Sequence, residues 1–247
     1  MKTFTLTLLC LLAVTGLFAQ KIELSVQANS GLFHYSGKSA TKQSFILATN
    51  PNSGNYTNNP YGNNNGFSYG GYLQAQLVSK GGFIAGAQAG YDVLRSKADI
   101  TGVVPVYNIE YLPYANYTAP QPVSANGQTY LKSEFINFSP YIGYRIKTAK
   151  IKIDLMPGLD FGFSLNSREK GKAITADGSK TTYQTNVDRG KTPDDVRLKF
   201  GAAAIYNRFG LTASYAHGIT NYERKMIGGS PEAHSELIRL GLSYRIF

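Results

Sequence analysis

From Ile151 to Asn166 the chain alternates apolar and polar residues almost without a break. Ile151, Ile153, Leu155, Pro157, Leu159, Phe161, Phe163 and Leu165 share one parity. Lys152, Asp154, Met156, Gly158, Asp160, Gly162, Ser164 and Asn166 share the other. Side chains switch faces at every residue of a β-strand, so sixteen residues of alternation specify one long strand with an apolar and a polar face. The same period starts at Phe67, Phe83, Ile136, Val196 and Ile238, and Lys21–Tyr35 and Leu211–Asn221 complete a set of eight strands. No convincing 3.6-residue stripe interrupts them. The class is all-β.

The connections alternate in length. Segments of about 38–65, 97–128, 167–195 and 222–234 are long, while Ser79-Lys80-Gly81-Gly82, Lys147-Thr148-Ala149-Lys150 and Asn207-Arg208-Phe209-Gly210 are tight. Long loops at one end and tight turns at the other are the plan of a transmembrane β-barrel, whose strands need about 9–11 residues to span. The expectation is an eight-stranded antiparallel transmembrane β-barrel with long extracellular loops, tight periplasmic turns and both termini periplasmic. A soluble eight-stranded carrier also alternates, but with its apolar face inward. Composition separates the two. Charged residues are only 16% and glycines number 26. Gly70, Gly86, Gly90, Gly143, Gly158, Gly162, Gly201 and Gly241 fall on the polar parity. A narrow lumen needs glycines beside long side chains; a solvated outer face does not.

By that parity the lumen holds Lys21, Arg145, Lys152, Arg197, Lys199, Arg239 and Arg245 against Glu23, Asp92, Asp154 and Asp160. A one-residue slip would turn Lys152 and Asp154 into lipid, where a midplane lysine costs about 2–4 kcal/mol, so register is firmly set. If Thr148-Ala149 is a two-residue turn, Pro140 faces Pro157, each a tolerated local bulge, and Arg145 is a diagonal neighbour of Asp154.

Met1-Lys2-Thr3 followed by the apolar run Phe4–Leu17 and Ala19-Gln20 has the pattern of a secretory signal peptide. The expected division is signal peptide 1–19 and outer-membrane β-barrel 20–247. The only cysteine, Cys10, leaves with the signal, which excludes disulfides and cysteine metal sites from the mature chain.

Ser139-Pro140-Tyr141-Ile142-Gly143-Tyr144-Arg145, Met156-Pro157-Gly158-Leu159, Gly218-Ile219-Thr220-Asn221 and the end Leu240-Gly241-Leu242-Ser243-Tyr244-Arg245-Ile246-Phe247 carry a resemblance. Through them the mature chain resembles the PorT-like outer-membrane β-barrel family, similar in shape to small OmpX/OmpA-type barrels. The terminal Phe247 resembles the signal read by the barrel-assembly machinery, although Arg245 stands where that ending usually has an aromatic. The resemblance implies a barrel in a Gram-negative outer membrane, in contact with lipid and lipopolysaccharide, and implies no particular activity.

Residues that carry chemistry are few. His34, His217 and His234 are expected toward the outer rim, with Ser36, Ser214 and Ser235 nearby in sequence. A His/Ser pair at a barrel rim is the pattern of a lipid-A deacylase of the PagL kind, but nucleophilic catalysis needs geometry that spacing does not supply. Asp188, Asp194 and Asp195 lack calcium-loop spacing and read as solvated charges. The net charge of +10 suggests nucleic acid, yet the first three long loops carry only +2, −1 and +1. Without a clustered patch, a nucleic-acid face is not expected.

Loop one, 48–65, is rich in Asn, Gly and Tyr, and loop two adds four tyrosines. That is a composition of adaptable binding loops. The candidate contacts are Tyr56, Tyr61, Tyr107, Tyr111, Tyr114 and Tyr117, toward a surface protein or glycan. No catalytic residue, cofactor or metal is assigned. The expected function is a structural or surface-interaction protein of the outer membrane. The alternatives are an accessory to secretion or small-solute passage, and a lipid-A-modifying rim enzyme.

Overall fold

The computed structural model describes residues 21–48, 54–104, 121–178, 180–224 and 230–247. Among them are eleven strands: β1 (Lys21–Ser36), β2 (Gln43–Leu47), β3 (Tyr56–Thr57), β4 (Asn64–Val78), β5 (Phe83–Val104), β6 (Val123–Lys147), β7 (Lys152–Thr175), β8 (Thr182–Gly190), β9 (Asp195–Tyr206), β10 (Phe209–Gly218) and β11 (His234–Arg245). The proposed signal segment, residues 1–19, lies outside the described residues.

Eight of these strands close a ring of antiparallel neighbours, in the order β1, β4, β5, β6, β7, β9, β10, β11 and back to β1. The expected barrel is present, and closure leaves no unpaired edge in lipid. Its outer wall is an apolar band: Leu73, Ile142, Phe200, Leu211, Leu240 and Leu242 all stand exposed. Aromatic side chains border the band. Phe83 meets Tyr144 at 5.5 Å and Phe209 meets Tyr244 at 5.3 Å toward the tight-turn end. Phe67, Tyr69, Tyr91 and Tyr215 stand exposed toward the other.

The long-loop end departs from expectation. Three of the stretches read as loops contain strand. β5 runs on to Val104, β6 starts at Val123, β7 continues to Thr175, and β8 follows it. β2 pairs in parallel with the far end of β5, β3 pairs with β2, and Asn55 bridges to Thr185 of β8. β5, β6, β7, β8, β3 and β2 thus close a second, smaller ring above the first. Ile46, Ile100, Val103, Ala125 and Ala173 fill it, with Ala48 and Tyr183 against them. The apolar alternation does not announce these extensions because they stand beyond the apolar band. There Arg168, Lys170 and Lys172 take the outward positions that Leu159 and Phe163 take lower down.

Two register expectations are corrected. The β6–β7 turn is Thr148–Ile151, closed by Thr148 N donating to Ile151 O at 3.0 Å. Arg145 is therefore directly opposite Asp154, not diagonal to it. Tyr141 partners Gly158 and Phe138 partners Phe161, a register that sets Pro140 opposite Leu159 and Pro157 opposite Ile142, so the prolines do not face each other. Nor does either form a bulge. The β6–β7 partners lapse near the prolines without shifting, and the register shift lies at Glu134/Phe135, where Leu165 is the extra residue on β7. That bulge flips the parity of β7 beyond it, turning Ser167 and Glu169 inward. Lys21, expected in the lumen, is exposed at the start of β1 because no barrel wall continues past it.

Candidate functional site

The lumen is filled in layers. At the tight-turn end Arg145 binds Glu23 through Nη1 and Nη2 at 2.9 and 2.8 Å, and Asp154 through Nε at 2.6 Å. Arg245 joins Glu23 at 3.1 Å. This resolves the unusual chain end. Tyr244 supplies the outward aromatic, and Arg245 points inward to a carboxylate. Above lie four glutamines, Gln27, Gln74, Gln76 and Gln88, hydrogen-bonded among themselves, with Lys199 Nζ donating to Gln88 at 2.6 Å.

The next layer is again ionic. Arg197 binds Asp160 at 2.9 Å and Asp195 at 2.6 Å, and its guanidinium lies over the Phe135 ring. Arg239 binds Asp92 and lies over Tyr72. Asp195, read from sequence as a solvated loop charge, is buried here because it opens β9 on the inward parity. A cavity of about 30 Å³, bordered by Gln27, Gln88, Tyr141, Lys199 and Arg239, is the space left between these layers. It is polar-lined and roomy enough for ordered water.

An aromatic plug covers the lumen at the long-loop end. Tyr35 packs edge-on against Tyr61 and against Tyr222, both at 5.0 Å, and Tyr61 meets Tyr222 at 5.9 Å. Phe33, Leu94, Leu131, Phe135 and Leu237 pack around them. Tyr222 donates its hydroxyl to Asp195 at 2.7 Å, tying plug to ion layer. Burial pushes the Tyr61 hydroxyl above its usual pKa, so it stays neutral. Such a filled, capped interior binds or conducts nothing large without rearrangement.

Two of the six candidate tyrosines lie among the described residues, and the structure separates them. Tyr61 belongs to the plug. Tyr56 is exposed on the second ring, with Arg189 stacked over it at 5.6 Å. Arg189 also bonds Glu169, which accepts from Thr57 N and Oγ1, both at 2.9 Å. Tyr107, Tyr111, Tyr114 and Tyr117 lie outside the described residues.

The histidines gather at the rim as expected. His34 and His217 are the cross-strand partners of Glu236 on its two sides, and His234 stacks on His217. Glu236 accepts from Ser36 at 3.2 Å and Tyr215 at 2.6 Å, and lies 2.6 Å from His217 Nδ1. Glu236 was not singled out from sequence, though its even parity with Ile238 and Leu240 was there to read. The serines do not complete a catalytic set. Ser214 lines the lumen cavity, Ser235 is buried on Asp195, and Ser36 bonds the carboxylate rather than an imidazole. Among the described residues no group of His, Cys, Asp and Glu is placed to hold a metal.

A closed ring with an apolar outside and an ion-paired inside defines a membrane-spanning β-barrel. The chain belongs to the outer membrane protein beta-barrel domain family, whose pattern it matches over residues 18–223. No curated protein matches it closely enough to count as a relative. Among solved structures it is similar to Ail, the attachment invasion locus protein of Yersinia pestis, in complex with the heparin analogue sucrose octasulfate. That match has 12% identity over 92% of this chain and 98% of the other, with a TM-score of 0.32. Neisserial surface protein A is similar at 14% identity over 90% and 96%, with a TM-score of 0.34. At those scores the family match, not the neighbours, carries the assignment.

Proposed function

We propose that this is a PorT-like surface-interaction protein of a Gram-negative outer membrane, secreted by a signal at residues 1–19 and assembled from residues 20–247 through its C-terminal strand. It stands with its termini in the periplasm and its second ring outside the cell. Binding of a surface protein or glycan resides in the outer ring and its loops, with Tyr56, Tyr107, Tyr111, Tyr114 and Tyr117 as contacts, while Tyr61 is taken up by the plug. The carrying observation is that β5, β6 and β7 overrun the apolar band and close a second ring with its own core, which spanning a membrane does not require. The filled lumen supports interaction rather than passage, and His217 is turned to Glu236 with no nucleophile on it among the described residues, so no enzymatic role is assigned.

Pull-down from intact outer membranes tests this reading. The parent should capture a partner, and a variant with loops one and two both shortened to tight turns, at residues 38–62 and 105–120, should not. Equal capture by both would move the activity to the wall or the tight turns and favour the secretion-accessory reading.

A further inference from the structure

The register of the overrunning strands assembles a basic face that no single segment contains. Arg95 of β5 is the direct cross-strand partner of Lys132 of β6, and Lys132 is the partner of Arg168 of β7. In the next outward row stand Lys97, Tyr130 and Lys170. Lys172 continues the β7 column beyond them. Directly opposed like charges destabilise a sheet unless something neutralises them.

Of the carboxylates of this face only Glu134 reaches a cation of these rows, and it leaves the cations on either side of Lys132 unpaired. Glu134 is taken by Lys132 at 2.5 Å. Asp99 accepts from Asn64 and Gln128, and Asp188, the cross-strand partner of Arg168 on β8, accepts from the backbone N of Gly190 and does not reach the guanidinium. Among the described residues Arg95, Lys97, Arg168, Lys170 and Lys172 form no ion pair. Arg95 lies over the Tyr69 ring at 5.6 Å, and its buried Nε has no hydrogen-bond partner.

Height selects the ligand. Val93, the outward residue before Arg95 on β5, is the cross-strand partner of Tyr69, and Tyr91 precedes it. The cations therefore begin immediately above the aromatic border of the apolar band, where the phosphates of the adjoining leaflet lie. Strands sit about 4.8 Å apart and outward residues recur about every 6.7 Å, so the two rows span roughly 10 by 7 Å.

We infer that Arg95, Lys97, Lys132, Arg168 and Lys170 form a binding face for a bisphosphorylated glycolipid headgroup of the same leaflet, seated on one side of the barrel only. This rests on the reading that the second ring lies outside the cell. The face stands on β5, β6 and β7, three of the six strands that build that ring, so a lipid bound there braces the ring against the membrane.

The test uses the full mature chain in phosphatidylcholine nanodiscs doped with bisphosphoryl lipid A or with its dephosphorylated form, with lipid retention read by mass spectrometry. The parent should retain the bisphosphorylated lipid preferentially. The Arg95→Gln, Arg168→Gln, Lys170→Gln triple variant should lose on the order of a hundredfold in affinity, at about 1 kcal/mol per surface cation. Lys147→Gln with Arg208→Gln, at the tight-turn end, should lose nothing. Heat-modifiable gel mobility must be unchanged in each variant. If the triple variant folds and retains the lipid fully, or the dephosphorylated lipid binds as well, the inference is overturned. Dextran sulfate binding without preference for phosphorylated lipid would assign the face to a soluble polyanion and equally overturn it. A tag inserted at Gly178 and labelled on intact cells reports orientation separately. Absence of labelling would sink the outward reading without touching the lipid result.

Discussion

Arg145 and Asp154 face each other directly across the β6–β7 hairpin and form two parallel bonds, Nε to Oδ1 at 2.6 Å and Nη2 to Oδ2 at 2.7 Å. The fork geometry matches a carboxylate, while Nη1, together with the second hydrogen of Nη2, donates to Glu23 of β1 from across the lumen. One guanidinium thus joins strands on opposite walls. Breaking a buried pair by removing one partner leaves the other charge stranded. Arg145→Met should therefore cost about 3–5 kcal/mol, measured as a lower urea midpoint of the barrel in detergent. An unchanged midpoint would mean that water reaches Glu23 and Asp154.

The lipid face predicts a depth dependence. Leu240 stands outward in the row of Ser30 and Ala213, inside the apolar band. Leu240→Arg should destabilise by about 2–4 kcal/mol, and Ile246→Arg, beyond the Tyr244 border, by about 0–1 kcal/mol. Equal costs in detergent-to-bilayer folding titrations would contradict this placement of the membrane.

Gly90 carries the lumen's packing. A Cβ there would lie 2.2 Å from the Gly71 carbonyl oxygen and 2.5 Å from the Tyr72 ring. Tyr72 in turn bonds Asp92 at 2.5 Å and carries Arg239 over its face. Gly90→Val should displace that ring and lower the yield of heat-modifiable barrel, whereas Gly178→Val, with open space around its Cβ, should not.

Planar-bilayer recording should show no large, steady conductance. The Tyr35→Ala, Tyr222→Ala variant should remain closed as well, because the Arg197 and Arg239 ion layer lies beneath the plug. A stable large pore in either protein would refute a side-chain-filled lumen.

Replacing residues 38–62 by a tight turn removes β2 and β3 and uncovers Ile100 and Ala173. The eight-stranded ring should still assemble. The far ends of β5 to β8 should become protease-sensitive within 97–104, 121–128, 167–178 and 180–190. Full protection would show that the second ring does not depend on its closing strands.

The alternation of Ile151–Asn166 and its counterparts determined the barrel, the parity of its two faces and the identity of most lumen charges. Spanning a bilayer imposes period two on every crossing residue, and no local rule competes with it. Beyond the band that pressure ends. Arg168-Glu169-Lys170-Gly171-Lys172 still alternates, but in charge and size rather than apolarity, and it reads as loop. Only the tertiary structure decided that β5 to β8 close a second ring, that the turn at Thr148–Ile151 sets Arg145 on Asp154, and that Asp195 is buried. Counting charge along the chain placed no excess at the long-loop end, because Glu169 and Asp195 were tallied beside Arg168 and Lys170. Closure turns Glu169 and Asp195 inward and lines Arg95, Lys132 and Arg168 up on the outside. Which charges are neighbours depends on strand order and register, and those are properties of segments far apart in sequence.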